Sequence, residues 1–293
     1  MKVICIGDNN VDCYKREKMI YPGGNCVNVA VYMKQCGWQA AYMGVVGDDQ
    51  NGKLQKESLE QAGVDASKIR VCDGVTSSVT VELVNHDRIF SEYDAQIHQD
   101  HPLAFCEEEL RDINQFDLIH TSCYSIFADG ALEQLYKTHV PIAYDFSEEY
   151  TEEQIDHTAK YIRYAFFSAG ERTREQVIKM LEKACDAGCF LAVCTMGSKG
   201  AVAYDGKGLY EQPSYPVEVV DTMGAGDSFI AQFLACYMEQ IRDLRLIRPD
   251  EDDMLTDSRY LSTVISFSLS KAAFFAASHC MKPGAFGNPY KIL

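Results

Sequence analysis

Val219-Val220-Asp221-Thr222-Met223-Gly224-Ala225-Gly226-Asp227-Ser228-Phe229-Ile230 is the stretch whose reading decides the fold of this chain. Val219 and Val220 read as the end of a strand, and Asp221-Thr222-Met223 as a turn. Gly224, Ala225 and Gly226 are small enough to leave their backbone amides bare. Phe229, Ile230, Phe233 and Leu234 then recur at helical spacing and give the next segment an apolar face. Bare amides at the positive end of a helix make a binding place for an anion, including a phosphoryl group in transfer. Asp227 falls in the first helical turn beside that place, where a carboxylate can accept the proton of an attacking hydroxyl. The competing use of Asp227 is a plain helix cap.

Outward from this stretch the chain alternates strand and helix. Val3–Ile6, Ala40–Val46, Leu118–His120, Ile142–Asp145, Tyr164–Phe167 and Phe190–Thr195 read as buried strands. Helical patterns separate most of them, such as the one that starts after Asn25, read as its N-cap, and stops at Gly37, or the one over Leu54–Ala62. This is the pattern of βαβ units around a mostly parallel sheet. Two stretches break it. Val79, Val81 and Leu83 alternate with Thr80 and Glu82 and lead through Asn85-His86-Asp87 into Arg88-Ile89-Phe90, a hairpin pattern. Lys15–Tyr21 fits no helix either. The expected architecture is one Rossmann-like three-layer α/β/α domain over residues 1–293, with a small β-sheet lid built from segments near 13–22 and 74–97.

Two other segments compete for the phosphate role. Gly47–Lys53, GDDQNGK, begins like a P-loop, but Leu54 stands where a hydroxyl for magnesium is needed, and Asp48 and Asp49 would repel phosphate. Gly224–Phe229 begins like a dinucleotide fingerprint, but Phe229 stands where close packing needs a small residue, which argues against an NAD-dependent oxidoreductase.

The formal net charge of -16 opposes nucleic-acid and anionic-membrane partners. No apolar run approaches the ~18 residues of a membrane span, and MKVICIGD at the start reads as a strand and not as a signal peptide. The 12 cysteines, with no CxxC pair, read as reduced thiols of a cytoplasmic protein. His98 and His101 lack a third ligand and read as surface loop, as does the acidic stretch Arg248–Asp257.

DTMGAGDSF (221–229) closely resembles the C-terminal signature of the ribokinase-like (PfkB) carbohydrate kinases, and PGGNCVNVAVYMKQCG (22–37) resembles their N-terminal signature. The two lie about 200 residues apart in the right order, and the resemblance extends over almost the whole chain. More narrowly, IGDNNVDCY (6–14), VTVELVNHDRIFSEYD (79–94) and AYDFSEE (143–149) resemble the fructoselysine 6-kinase branch of that family.

The resemblance implies a ribokinase-like fold, ATP and Mg2+ as cofactors, and a sugar held between the sheet and the lid. It implies that Asp227 is the base and that the Gly224, Ala225 and Gly226 amides form the anion hole. Asn10, Asp12, Gly24 and Asn28 would take the sugar, with Asn25 left out of that set. Ser168-Ala169-Gly170-Glu171 matches an Asn-x-x-Glu motif near magnesium and phosphate, with serine in place of the asparagine and Glu171 kept for metal contact through water. Thr195, Gly197 and Gly200 belong to the matching nucleotide loop, with Lys199 a candidate phosphate neighbour. Adenine would rest near Phe267–Phe275 and the Gly284-Ala285 turn. Some members bind K+ beside the anion hole, and the Asp221–Met223 carbonyls are the candidate ligands here. Arg88, with Glu92 and Asp94, would read the charged tail of a fructosyl-amino acid. A homodimer paired through the lid is compatible with this organisation. The rival readings are a fructokinase, ribokinase or nucleoside kinase on the same fold, and a non-catalytic sugar-binding regulator.

Overall fold

The structure is a computed structural model that describes residues 1–14, 18–84, 87–148, 150–247, 258–282, 284–286 and 290–291. Its main sheet has eight strands, in the order Leu209–Gln212, Ala201–Tyr204, Leu191–Thr195, Tyr164–Ser168, Ile142–Asp145, Leu118–Ser122, Lys2–Ile6 and Gln39–Met43. The six strands from Leu191–Thr195 to Gln39–Met43 are parallel, and the other two continue the sheet antiparallel. Parallel strands are buried on both faces, so they read as unbroken apolar runs. In Lys2–Ile6, Val3 and Cys5 point into one core, while Ile4 and Ile6 point into the other. The first core is closed by the helices Asn25–Gln35, Ala225–Ile247 and Ser258–His279, and the second by Ala131–Tyr136, Glu152–Thr158 and Arg174–Asp186. Phe229, Phe233 and Tyr237 stack in a row along Ala225–Ile247, with ring centroids 6.3 and 5.9 Å apart. All three are buried, and this row fixes the helix that carries Asp227.

The strand order reverses at Lys2–Ile6: the next parallel strand in sequence, Gln39–Met43, lies on one side, and Leu118–Ser122 on the other. In open α/β sheets ligands bind at such a switch point, beyond the carboxyl ends of the strands. Asp8 and Asn9 follow Ile6 at that place, after Gly7.

A second sheet of five strands covers it, in the order Tyr290–Lys291, Met19–Gly23, Asn10–Tyr14, Ser78–Val84 and Asp87–Asp94. It is the expected lid, but larger. It begins at Asn10 and recruits a strand from late in the chain, which is too short to leave a sequence pattern. Tyr14, Val79 and Val81 form its small core, against which Met19, Tyr21 and Met223 pack. Met223 thus joins the lid to the glycine loop.

Several local expectations are corrected. Val219 and Val220 lie outside any strand and are about half exposed. Two consecutive β-branched residues are a propensity signal, but among the described residues no strand pairs with them, and the Val220 N–H donates to the Cys280 carbonyl at 2.8 Å. The strand predicted over Ala40–Val46 splits at Gly44 into Gln39–Met43 and Val45–Gly47, the second pairing with Arg70–Cys72. The helix predicted over Leu54–Ala62 starts earlier, at Gln50, because the Asp49 side chain accepts from the Gly52 N–H at 2.8 Å and caps it. The P-loop-like stretch is therefore a helix cap. His98 is not on a surface loop but buried in the short helix Gln96–Asp100. The acidic stretch 248–257 lies outside the described residues.

Candidate active site

Gly24, not Asn25, occupies the N-cap position of Asn25–Gln35. Its φ of 107° is open to glycine, and a Cβ there would sit 2.5 Å from the Asn9 Cα. The cap function passes to Asp8, whose Oδ2 accepts from the Asn25 N–H at 2.7 Å. The Asn25 side chain is thereby released into the cleft. This corrects the N-cap reading, which rested on residue type alone.

Three carboxylates converge around that side chain. Asp8 also accepts from the Ser122 hydroxyl at 2.7 Å. Asp145, at the end of its strand, accepts from Asn25 Nδ2 at 2.7 Å and from the Ser147 N–H at 2.8 Å. Asp227 accepts at one oxygen from Asn25 Nδ2, at 2.7 Å, and at the other from Asn28 Nδ2, at 2.6 Å. Asn25 Oδ1 meets His120 Nε2 at 2.9 Å. The remaining oxygen of Asn28 is buried with no partner among the described residues.

Burial pushes Asp227 up to about 8, the charges of Asp145 and Asp8 adding to the rise and the Asn28 and Asn25 amides opposing it. Burial raises Asp145 to about 6, with Asp8 adding, against the hydrogen bonds from Ser147 and Asn25. Burial holds His120 down to about 3, so its imidazole is neutral.

The glycine turn has the geometry the sequence predicts, with one change. Asp227 lies in the first turn of Ala225–Ile247. The Ala225 N–H is committed to the Thr222 carbonyl at 3.1 Å, while Ser228 N–H bonds the Gly224 carbonyl at 2.8 Å. Among the described residues the Gly224, Gly226 and Asp227 N–H groups have no acceptor, so the bare amides include Asp227's own in place of Ala225's. Gly224 has φ +71°, and a Cβ on it would meet the Tyr32 hydroxyl at 2.7 Å and the Ala285 Cβ at 2.9 Å. Asp221 pins this loop from outside, accepting from Met223 N–H at 2.9 Å and Gly284 N–H at 2.8 Å. The Tyr32 hydroxyl donates to the Ala285 carbonyl. The Gly284-Ala285 turn, expected near adenine, is thus a brace for the glycine loop. Phe267 and Phe274 remain exposed, and Tyr215 packs edge-on against Phe274 at 5.6 Å.

The other expected residues sit on the same rim. Asn10 and Asp12 lie on the lid strand Asn10–Tyr14, and the Asn10 amide donates to the Asp12 carboxylate. Ser168 and Thr195 are register partners at the ends of adjacent strands, and the Ala169 N–H donates to the Thr195 carbonyl at 2.8 Å. Glu171, Gly197 and Lys199 are exposed beyond them, and Gly200 closes the turn at φ 98°. Arg88 lies in Asp87–Asp94, and the side chains of Arg88 and Glu92 lie outside the described residues. Asp94 accepts from the Gln96 N–H at 3.1 Å, a local turn contact. The sequence reading missed Asp8, Asn25, His120 and Asp145. Asp8 follows a buried strand and Asp145 ends one, and that position was the available signal.

A cavity of about 1040 Å³ flanks Met1, Asp117, Pro141, Arg163 and Phe190 at the opposite, amino-terminal ends of the strands. Its lining contains none of the site residues named above, and size does not outweigh the convergence of groups at the carboxyl ends.

A carboxylate beside bare amides at a helix start, under a β lid, is the arrangement expected of a phosphotransferase of the ribokinase-like class. Residues 2–248 match the model of the pfkB family of carbohydrate kinases. The chain belongs to that family and is an ATP-dependent carbohydrate kinase. It is 34% identical over 296 residues to a fructosamine kinase, FrlD, of Bacillus subtilis (strain 168), covering 100% of this chain and 96% of that protein. It is 37% identical over 230 residues to the fructoselysine 6-kinase of Escherichia coli (strain K12), covering 78% and 86%. The fold matches a Xylella fastidiosa fructokinase with bound ATP, at TM-score 0.74 and 19% identity over 97% of this chain and 94% of that one. It also matches an E. coli protein named ribokinase II, in complex with ATP and Mg2+, at TM-score 0.73 and 20% identity over 97% and 94%.

Proposed function

We propose that this enzyme transfers the γ-phosphoryl group of ATP to a primary hydroxyl of a fructosyl-amino acid, with Asp227 as the base. The observation that carries the reading is the Asp227 carboxylate held by two amide side chains in the first turn of a helix, with free N–H groups beside it. The acceptor class is supported by the names of the relatives at 34 and 37% identity.

Asn28 and the lid residues Asn10 and Asp12 hold the sugar hydroxyls, and Gly24 lets the ring approach the backbone. Asp227 takes the proton from the attacking hydroxyl. The Gly224, Gly226 and Asp227 N–H groups face the charge that develops on the transferring phosphoryl group. Ser168, Thr195, Gly197 and Gly200 line the nucleotide side. Among the described residues no group of three carboxylate, histidine or cysteine side chains could cage a metal ion. Magnesium is commonly held by phosphates and water with one or two carboxylates, here Glu171 through water. Bound Mg2+ neutralises phosphate charge, and carbonyls of the Asp221–Met223 turn are available to K+. The lid keeps water from competing with the acceptor. Twelve free thiols favour a cytoplasmic setting, and the lid is the face through which a homodimer would pair.

The test is an acceptor panel with ATP and Mg2+, read as ADP released. Fructosyl-lysine should turn over well above fructose, ribose and a nucleoside. Good turnover of a plain sugar with none of fructosyl-lysine would remove the narrow assignment.

A further inference from the structure

Asn25 is the centre of the site's hydrogen bonding, and the acceptor reading gives it no work. Its Nδ2 donates to Asp145 and to Asp227, both at 2.7 Å, and its Oδ1 meets His120 Nε2 at 2.9 Å. Only one amide orientation suits these partners. Two carboxylate oxygens require the NH2 group, so the carbonyl faces the ring and His120 carries its proton on Nε2. His120 is completely buried in Leu118–Ser122, and its other nitrogen has no partner among the described residues. The ring therefore acts as a fixed donor that sets the amide.

Asp145 is aimed as deliberately. Ser147 takes φ 54°, in the left-handed region, and from there its N–H donates to the second Asp145 oxygen at 2.8 Å. Its carbonyl accepts from the Ser168 N–H at 2.7 Å, which ties the bend to the next strand. A non-glycine residue held in that region costs about 1 kcal/mol or more and persists where the surroundings demand it.

We propose that Asn25 and Asp145 are positioning residues for the base: the Asn25 amide links Asp227 to a second buried carboxylate, and this linkage sets both the aim of Asp227 and the pH at which it becomes competent. The inference rests on Asp227 being the base. The groups that face Asp227 are Asp8 after the first strand, Asp145 at the end of its strand, Asn25, Asn28 and Tyr32 on the first helix, and His120 through Asn25. The two positioning residues act with opposite sign. The negative charge of Asp145 favours the protonated form of Asp227, and the Asn25 amide favours the anion.

The experiment measures kcat and kcat/KM for ATP-dependent phosphorylation of fructosyl-lysine, or of the best acceptor in the panel, from pH 5 to 10. It uses the wild type, Asn25→Ala, Asn25→Ser, Asp145→Asn and Asp227→Asn. The acidic limb of kcat/KM should move up in Asn25→Ala and Asn25→Ser, and down in Asp145→Asn, each by about one pH unit, the size of one hydrogen bond or neighbouring charge. At the wild-type optimum kcat should fall about tenfold or more in the Asn25 variants, with the acceptor KM changed by no more than about threefold. Infrared difference titration of the carboxyl band that Asp227→Asn removes should show the same opposite shifts, without reliance on turnover. Where Asn25→Ala fails to fold, Asn25→Ser gives the same reading with a smaller void. If Asp227→Asn is inactive but both positioning variants leave the limb in place, or move it the same way, the linkage is wrong and the base stands. If Asp227→Asn keeps the wild-type rate, the base assignment itself fails.

Discussion

Replacing Asp227 by asparagine should lower activity and change stability in a direction that depends on pH. For activity, loss of a general base costs about 10² to 10⁴ in rate, or about 3 to 5 kcal/mol in the barrier. For stability, the folded carboxyl sits at about 8, against an ordinary value of 3.8. A folded value raised above the unfolded one gives stability that is complete below the unfolded value and lost as pH rises through the folded value. Four pH units would amount to roughly 5 kcal/mol. Part of the residue is open to solvent, whose screening reduces this to the order of 2 kcal/mol. The substituted amide must also turn one NH2 toward a donor, either Asn25 or Asn28, at a cost of about 1 kcal/mol. The variant should therefore melt lower than wild type near pH 4 and higher near pH 9, by a few degrees in each case at about 2 to 4 °C per kcal/mol. Coupled ADP-release assays and scanning calorimetry at both pH values check this. Retention of more than about a tenth of the rate, or a melting difference of the same sign at both pH values, would refute the reasoning.

The wild-type kcat/KM should rise with pH toward about 8, because Asp227 must lose its proton to act and burial holds that proton on; a flat profile between pH 6 and 9 would contradict it. Gly224→Ala should cost about 10²-fold in kcat with a folded protein, since the new Cβ at φ +71° would meet the Tyr32 hydroxyl at 2.7 Å and disturb the bare amides. Asp221→Ala should lower stability by about 1 to 3 kcal/mol, because the Met223 and Gly284 N–H groups both lose their acceptor; denaturant melts read this directly. Ser147→Gly should leave the melting temperature within a few degrees of wild type, since relief of about 1 kcal/mol of strain at φ 54° is offset by loss of the hydroxyl that accepts from Tyr124 at 2.7 Å; calorimetry checks this.

The sheet was legible because strands buried on both faces appear as short apolar runs, and five of the six predicted main-sheet strands fall within a few residues of their positions. The lid hairpin was legible from its alternation. The glycine turn was legible because no common structural use demands bare amides followed by a carboxylate. The rest of the site was not, for two reasons. First, a residue type can serve two ends: asparagine after two glycines suits an N-cap, and only the backbone of Gly24 shows that Asp8 has taken that role. Second, the remaining contacts are long in sequence. Asp145 meets Asn25 across 120 residues, and Asp227 meets it across 202, and neither partner's neighbourhood encodes the other. Val219 and Val220 misled for a related reason, since among the described residues no strand pairs with them to make use of their β propensity.

The brace formed by Gly284-Ala285 and the short strand Tyr290–Lys291 has a consequence for biosynthesis. The glycine loop is held against residues made some sixty positions later in the chain, and the lid's edge is completed by residues made later still. On the ribosome, the sheet and the catalytic helix can assemble while the loop is still unsupported. A nascent chain halted before position 284 would hold Asp227 and the Gly224–Gly226 turn but lack the Gly284 N–H and the Ala285 carbonyl that steady them, so the loop gains this support only when that later turn is made.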